Sequence, residues 1–225
     1  RVLIVAPTRE LALQIGTELR DFSRGLGIRW AMLIGGASVW RQKQDIHDNP
    51  HVVIGTPGRI KDFIRERILS MSQFRNVVLD EADRMVDIGF IRDIKYFISL
   101  LPRERQSLFF SATVSSKVSE ILSEFVQNPI TVSVKKQDTA LGIVQTIVEV
   151  NGKGKIEHLH DLLIQKGFDK VLVFGRTKWG IERLARELVT RGFKVAALHG
   201  NKSQQQRQKS LTQFRNNEIQ ILLAT

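Results

Sequence analysis

Short apolar runs recur along this 225-residue sequence, and almost every one stops at a polar turn that opens an amphipathic stretch. Val2–Ala6, Ile28–Ile34, His51–Ile54, Phe74–Leu79 and Ser107–Phe110 are such runs, and Val171–Phe174, Val195–Leu198 and Ile219–Leu223 resume the pattern later. Short runs bounded by turn residues and rich in Val and Ile read as strands buried on both faces. Between them, residues such as Leu11, Ile15, Leu19 and Phe22 return at helical spacing. Helices are expected over about 9–24, 39–47, from Pro57 onward, and over 91–101, 118–125, 156–165, 181–190 and 204–214. Strands alternating with helices predict an α/β fold of parallel sheets, each covered by helices on both faces, with right-handed crossovers.

Two more strands are expected at 130–134 and 144–150. Residues 135–142 lack apolar periodicity and read as a polar linker. The expected organisation is a first domain over 1–134, that linker, and a second domain of similar architecture over 143–225. Arg1 enters an apolar run at once, and Leu222-Leu223-Ala224-Thr225 stops at a strand's lip, so an internal segment of a longer protein is expected.

No apolar run has membrane-spanning length and no signal-peptide pattern is present. The absence of cysteine excludes disulfides and thiolate metal sites and fits a cytoplasmic protein. A formal net charge of +11 points to a polyanionic partner, most often nucleic acid. The excess is uneven: residues 1–134 sum to +3 and residues 135–225 to +8.

Chemistry concentrates where apolar runs end. Val77-Val78-Leu79 leads straight into Asp80-Glu81, with Asp83 two residues on. Open α/β sheets bind ligands outside the carboxyl ends of their strands. Carboxylates there suit a Mg²⁺ held between nucleotide phosphates. They would otherwise cap the next helix, which accounts for one acid but poorly for three. Pro7-Thr8-Arg9, Gly35-Gly36, Thr56-Pro57-Gly58-Arg59 and Ser111-Ala112-Thr113 occupy corresponding positions after other strands, with Thr56 as the expected N-cap of its helix. Gly175-Arg176-Thr177, His199-Gly200 with Gln204 and Arg207, and Thr225 do so in the second half. Gly lets backbone approach closely, helix N-termini offer N–H groups, and Arg pairs with phosphate oxygens. None of this reads base edges, so any nucleic-acid contact should be largely sequence-independent. His199 reads as a turn residue, and Trp30, Trp40 and Trp179 read as packing residues.

Taken in this order, the motifs resemble the DEAD-box family of ATP-dependent RNA helicases across essentially the whole chain. The resemblance implies two RecA-like domains, both truncated here, acting with ATP, Mg²⁺ and single-stranded RNA, as a monomer and away from membranes. It implies that Asp80 holds Mg²⁺ through water, that Glu81 orients the attacking water, and that Asp83 couples hydrolysis to domain closure through Ser111 and Thr113. It assigns Pro7, Thr8, Arg9, Gly36, Thr56, Gly58, Arg59, Arg176, Thr177, Gln204, Arg207 and Thr225 to RNA. Gly175 and Arg176 depart from the family's usual residues. The family's Gly-x-x-x-x-Gly-Lys-[Ser/Thr] phosphate loop and its later arginine-rich motif are not found in this sequence. This segment alone is therefore expected to be catalytically incompetent. A non-catalytic RNA-binding or assembly module is the alternative, and a DNA translocase of the wider superfamily is a weaker third reading.

Overall fold

The computed structural model describes residues 1–134, 143–150, 152 and 154–225. The expected linker at 135–142 lies outside them. The chain divides into two compact units, Arg1–Ser133 and Val134–Thr225.

The first unit runs β1 (Val2–Val5), α1 (Arg9–Phe22), β2 (Trp30–Leu33), α2 (Val39–His47), β3 (Val52–Gly55), α3 (Pro57–Arg65), β4 (Asn76–Leu79), α4 (Ala82–Ile88), α5 (Ile91–Ser99), β5 (Gln106–Phe109) and α6 (Ser116–Phe125). Its five strands are all parallel, in the order β2-β3-β1-β4-β5. The pleat sends alternate side chains to opposite faces. Leu3, Val5, Ala31, Leu33, Val53, Val77 and Leu79 pack on one face with Ile60 and Phe63 of α3, Ile94 and Phe97 of α5, and Val118 and Ile121 of α6. Val2, Ile4, Trp30, Met32, Val52 and Ile54 pack on the other with Ala12, Ile15 and Leu19 of α1. The expected two-sided cover is present at β1, β2 and β3. It fades toward the β5 edge, where Leu108 is exposed. Gly89, at φ +95, ends α4 in the left-handed region and separates it from α5.

The second unit runs α7 (Lys155–Leu163), β6 (Val171–Phe174), α8 (Lys178–Thr190), β7 (Val195–Leu198), α9 (Gln204–Arg215) and β8 (Ile221–Ala224). Its strands are parallel in the order β6-β8-β7. β8 is buried throughout, and Ile221 and Leu223 form a small core with Ile181 and Leu188 of α8 and Leu163 of α7. Leu172 and Phe174 of β6 face outward and are exposed, so this edge is covered on one face only among the described residues.

Two expected strands do not form. Residues 130–134 and 143–150 are irregular, and Ile130, Val132 and Ile147 are almost fully exposed. Their apolar content suits a strand, but strand preference depends on cross-strand neighbours, and no ladder partner is present among the described residues. Phe22, expected on the apolar face of α1, lies at the helix end and points to solvent.

Candidate functional site

The parallel register brings the strand ends of the first unit to one edge. Val5, Leu33, Gly55, Leu79 and Phe109 lie level with one another across the sheet. The residues following them therefore form one rim, and the strand order sorts it by charge. Acidic residues follow β4, the Ser-Ala-Thr turn follows β5, and Arg9, Gly36 and Arg59 follow β1, β2 and β3.

On the acidic side, the backbone N–H of Asp80 donates to the Val5 carbonyl (3.0 Å) and that of Ala82 to the Phe110 carbonyl (3.0 Å). These bonds fix the turn against β1 and the end of β5. Asp80 Oδ1 accepts from the Glu81 N–H at 3.0 Å. Glu81 adopts φ 48, ψ 52, a left-handed conformation that costs a non-glycine residue about 1–3 kcal/mol. Its carboxylate lies 3.4 Å from Arg84 Nη1. Asp83 Oδ2 accepts from both the backbone N–H (2.9 Å) and the hydroxyl (2.8 Å) of Thr113. The Ser111 hydroxyl donates to the Thr113 carbonyl at 2.6 Å, closing the turn on itself. Burial pushes Asp83 up, but bonds from Thr113, the Arg84 N–H and Ser111 outweigh it and hold the carboxyl below its ordinary value.

No group of three or more His, Cys, Asp or Glu residues that could hold a metal occurs among the described residues. At this rim the hard carboxylate that could hold a metal is that of Asp80, with Glu81 next to it. That matches an ion which takes one or two protein carboxylates and completes its shell with water and phosphate oxygens, as Mg²⁺ does.

On the basic side, Thr8 caps α1, its hydroxyl accepting from the Leu11 N–H at 3.2 Å. Arg9 folds its guanidinium against the Gly35-Gly36 turn. Gly36 has φ +77, and a Cβ there would stand 2.7 Å from Arg9 Nη1. The positive φ is what favours glycine here, since the Arg9 side chain could shift away from a Cβ. Gln42 of α2, 3% exposed, clamps the same loop from behind. Its amide accepts from the Ile34 N–H (3.2 Å) and donates to the Ile34 carbonyl (3.1 Å). Thr56 occupies the N-cap of α3, as expected, but its buried hydroxyl makes no capping bond. Gly58 has open space where a side chain would be. Arg59 lies over the Phe63 ring at 5.9 Å, beside Asp62 at 3.8 Å, and its buried Nη1 has no hydrogen-bond partner. The unpartnered guanidinium nitrogen lies in the first turn of a helix whose start has no side-chain cap.

The second unit repeats the device. Phe174 and Leu198 both lie level with Ala224, so Arg176, His199 and Thr225 follow one row of the sheet. Thr177 caps α8, accepting from the Gly180 N–H at 3.0 Å, and Arg176 is exposed. Gln204 opens α9, one turn before Arg207. Sequence reasoning missed the network around His199. That residue is buried, its Nε2 is 2.7 Å from Glu182 Oε1, and its Nδ1 accepts from the Asn201 N–H at 3.4 Å. Lys202 Nζ shares the same Glu182 oxygen at 2.5 Å. Hydrogen bonds from Lys202 and then His199 hold Glu182 below the usual carboxylate range. His199 thus fixes the turn between β7 and α9. Trp40 and Trp179 are corrections: they are 69% and 81% exposed, and only Trp30 packs against the sheet.

Comparison with known proteins adds ancestry to this geometry. The profile of the DEAD/DEAH box helicases matches residues 1–121, and that of the helicase conserved C-terminal domain matches residues 154–225. The ATP-dependent RNA helicase CshA of Listeria monocytogenes is 40% identical over the whole chain, which covers 44% of that protein. The Geobacillus kaustophilus CshA is 41% identical, with 48% covered. The chain therefore spans about half the length of these relatives. A DEAD box protein from the hyperthermophile Methanococcus jannaschii matches the full chain at 34% identity and a TM-score of 0.58, with 61% of that protein covered. The Saccharomyces cerevisiae Dbp5 structure bound to RNA and ADP BeF3, at 24% identity, shares the fold with a TM-score of 0.85 and has 57% of its chain covered.

Proposed function

Because the chain belongs to the DEAD/DEAH box helicase family, we propose that it is the part of an ATP-dependent RNA helicase core that carries the acidic hydrolysis residues and much of the RNA grip. The observation that carries this reading is the Asp83–Thr113 pair of bonds beside Asp80 and Glu81. It ties the acidic turn to the end of a neighbouring strand, as coupling of hydrolysis to movement requires. Asp80 would hold Mg²⁺ beside ATP through water, and the ion would neutralise charge developing on the phosphates. Glu81 accepts a hydrogen bond from water and orients it for attack. Asp83 positions the Ser111–Thr113 turn rather than touching the reacting atoms.

Pro7, Thr8, Arg9, Gly36, Thr56, Gly58 and Arg59 of the first unit, and Arg176, Thr177, Gln204, Arg207 and Thr225 of the second, hold RNA by its backbone. Support comes from the Arg9 guanidinium on the glycine turn and the unpartnered Arg59 nitrogen. Binding is sequence-independent, and the protein acts as a cytoplasmic monomer. The 225-residue chain hydrolyses ATP negligibly, since it lacks the glycine-rich loop and lysine that cradle phosphates.

ATP turnover with and without RNA tests the assignment. The chain alone should be inactive, and the chain extended at its N-terminus by a glycine-rich phosphate-loop segment and at its C-terminus by the arginine-rich motif should gain RNA-stimulated turnover. Glu81→Gln in that extended form should remove turnover and leave RNA binding intact. Turnover surviving Glu81→Gln would overturn the role given to Glu81.

A further inference from the structure

Trp179 stands 81% exposed in the first turn of α8. Leaving so large an aromatic surface in water forgoes the burial that normally stabilises it. The ring borders a cavity of about 430 Å³, walled by Lys178, Glu182 and Arg186 of the same helix and by Asn201 and Lys202 beyond β7. Those walls carry three cations and one carboxylate. The carboxylate is already engaged, because Glu182 Oε1 lies 2.5 Å from Lys202 and 2.7 Å from His199. Lys178 binds the neutral Asn201 Oδ1 at 2.9 Å, and Arg186 is exposed. A surplus of positive charge therefore sits beside an open aromatic face. An apolar peptide would find only the one ring. A nucleotide offers both complements at once, a π-face and a phosphate.

We propose that Trp179 is a base-stacking subsite: one nucleobase of single-stranded RNA lies on its ring while Lys178 and Arg186 pair with the flanking phosphates. This rests on reading the start of α8 as an RNA contact and adds to it a group that touches a base. Stacking tolerates any base, since each has a π-face, so the subsite contributes affinity without sequence preference. Loss of Trp179 should weaken binding by about tenfold, the scale of one stacked base.

The test uses the 225-residue chain and two labelled strands of equal length, oligouridylate and an abasic ribose-phosphate strand, at low salt. The unsubstituted chain should bind oligouridylate more tightly than the abasic strand. Trp179→Ala should lose about tenfold on oligouridylate and nothing on the abasic strand, Trp179→Phe should retain most of the affinity, and Trp40→Ala should change neither. Equal binding of both strands, or an unchanged or strand-independent effect of Trp179→Ala, overturns the subsite while leaving RNA binding in place. Failure of the unsubstituted chain to bind either strand removes the RNA reading and the subsite together.

Discussion

Glu81 pays for its position in backbone strain, and that strain is measurable. At φ 48 it holds a conformation natural to glycine. Glu81→Gly should raise the stability of the first unit by about 1 kcal/mol, read as a higher denaturant midpoint. The same change should abolish turnover in a form able to hydrolyse ATP. A fall in midpoint would mean that the Arg84 contact outweighs the strain. Asp83 makes a pH-dependent prediction. Its folded pKa lies below 3.8, so its bonds to Thr113 contribute fully above the ordinary carboxylate value and are lost as pH falls through the depressed one. Asp83→Asn should cost about 1 kcal/mol near pH 7, and the gap in Tm from the unsubstituted chain should close in acid. A gap constant with pH would assign the loss to packing.

At the scale of elements, Gln42 shows how a helix can complete a strand end. Its buried amide supplies both bonds that Ile34 would otherwise seek from a neighbouring strand. Gln42→Ala leaves a buried N–H and C=O unpaired and should cost about 2–3 kcal/mol in denaturant unfolding. Gln42→Glu should cost at least as much, because a buried carboxylate accepts from the Ile34 N–H but faces the Ile34 carbonyl with no proton to donate. Sequence gave no hint of this residue, because a glutamine on an amphipathic helix reads as surface. The strands themselves were legible, since Val171–Phe174 and Val195–Leu198 are apolar runs closed by Gly175 and Gly200. The strand ends of the rim were legible too, because a parallel sheet levels the ends of the runs that Thr8, Asp80 and Arg176 follow. The runs at 130–134 and 144–150 misled because strand formation is settled by partners that sequence distance does not reveal. Trp40 and Trp179 misled because apolarity says how much surface a ring has, not which side of a helix carries it.

As a molecule, the chain holds its two units by separate cores of unequal size. The second has three strands and an exposed β6 face, so calorimetry should resolve two transitions, the lower belonging to this unit. Ile181→Ala, which empties a fully buried site, should cost about 2–4 kcal/mol and lower that transition alone. A single shared transition would mean that the units unfold together. Charge is unequal as well: most of the +11 lies in the second unit's sequence, so RNA affinity should fall steeply with salt, and removing residues 135–225 should flatten that slope. The strand order has a further consequence, and it concerns time. Val2 of the central strand pairs with Val52 and with Asn76, never with the strand next in sequence. Loop closure over such distances slows folding, so β1 gains its first neighbour only once β3 has been made and its second only once β4 has. The rim on which the proposed chemistry depends is therefore assembled late, by a strand made early. Until β3 is synthesised, Val2-Leu3-Ile4-Val5 lacks both of the strands that pair with it in this sheet.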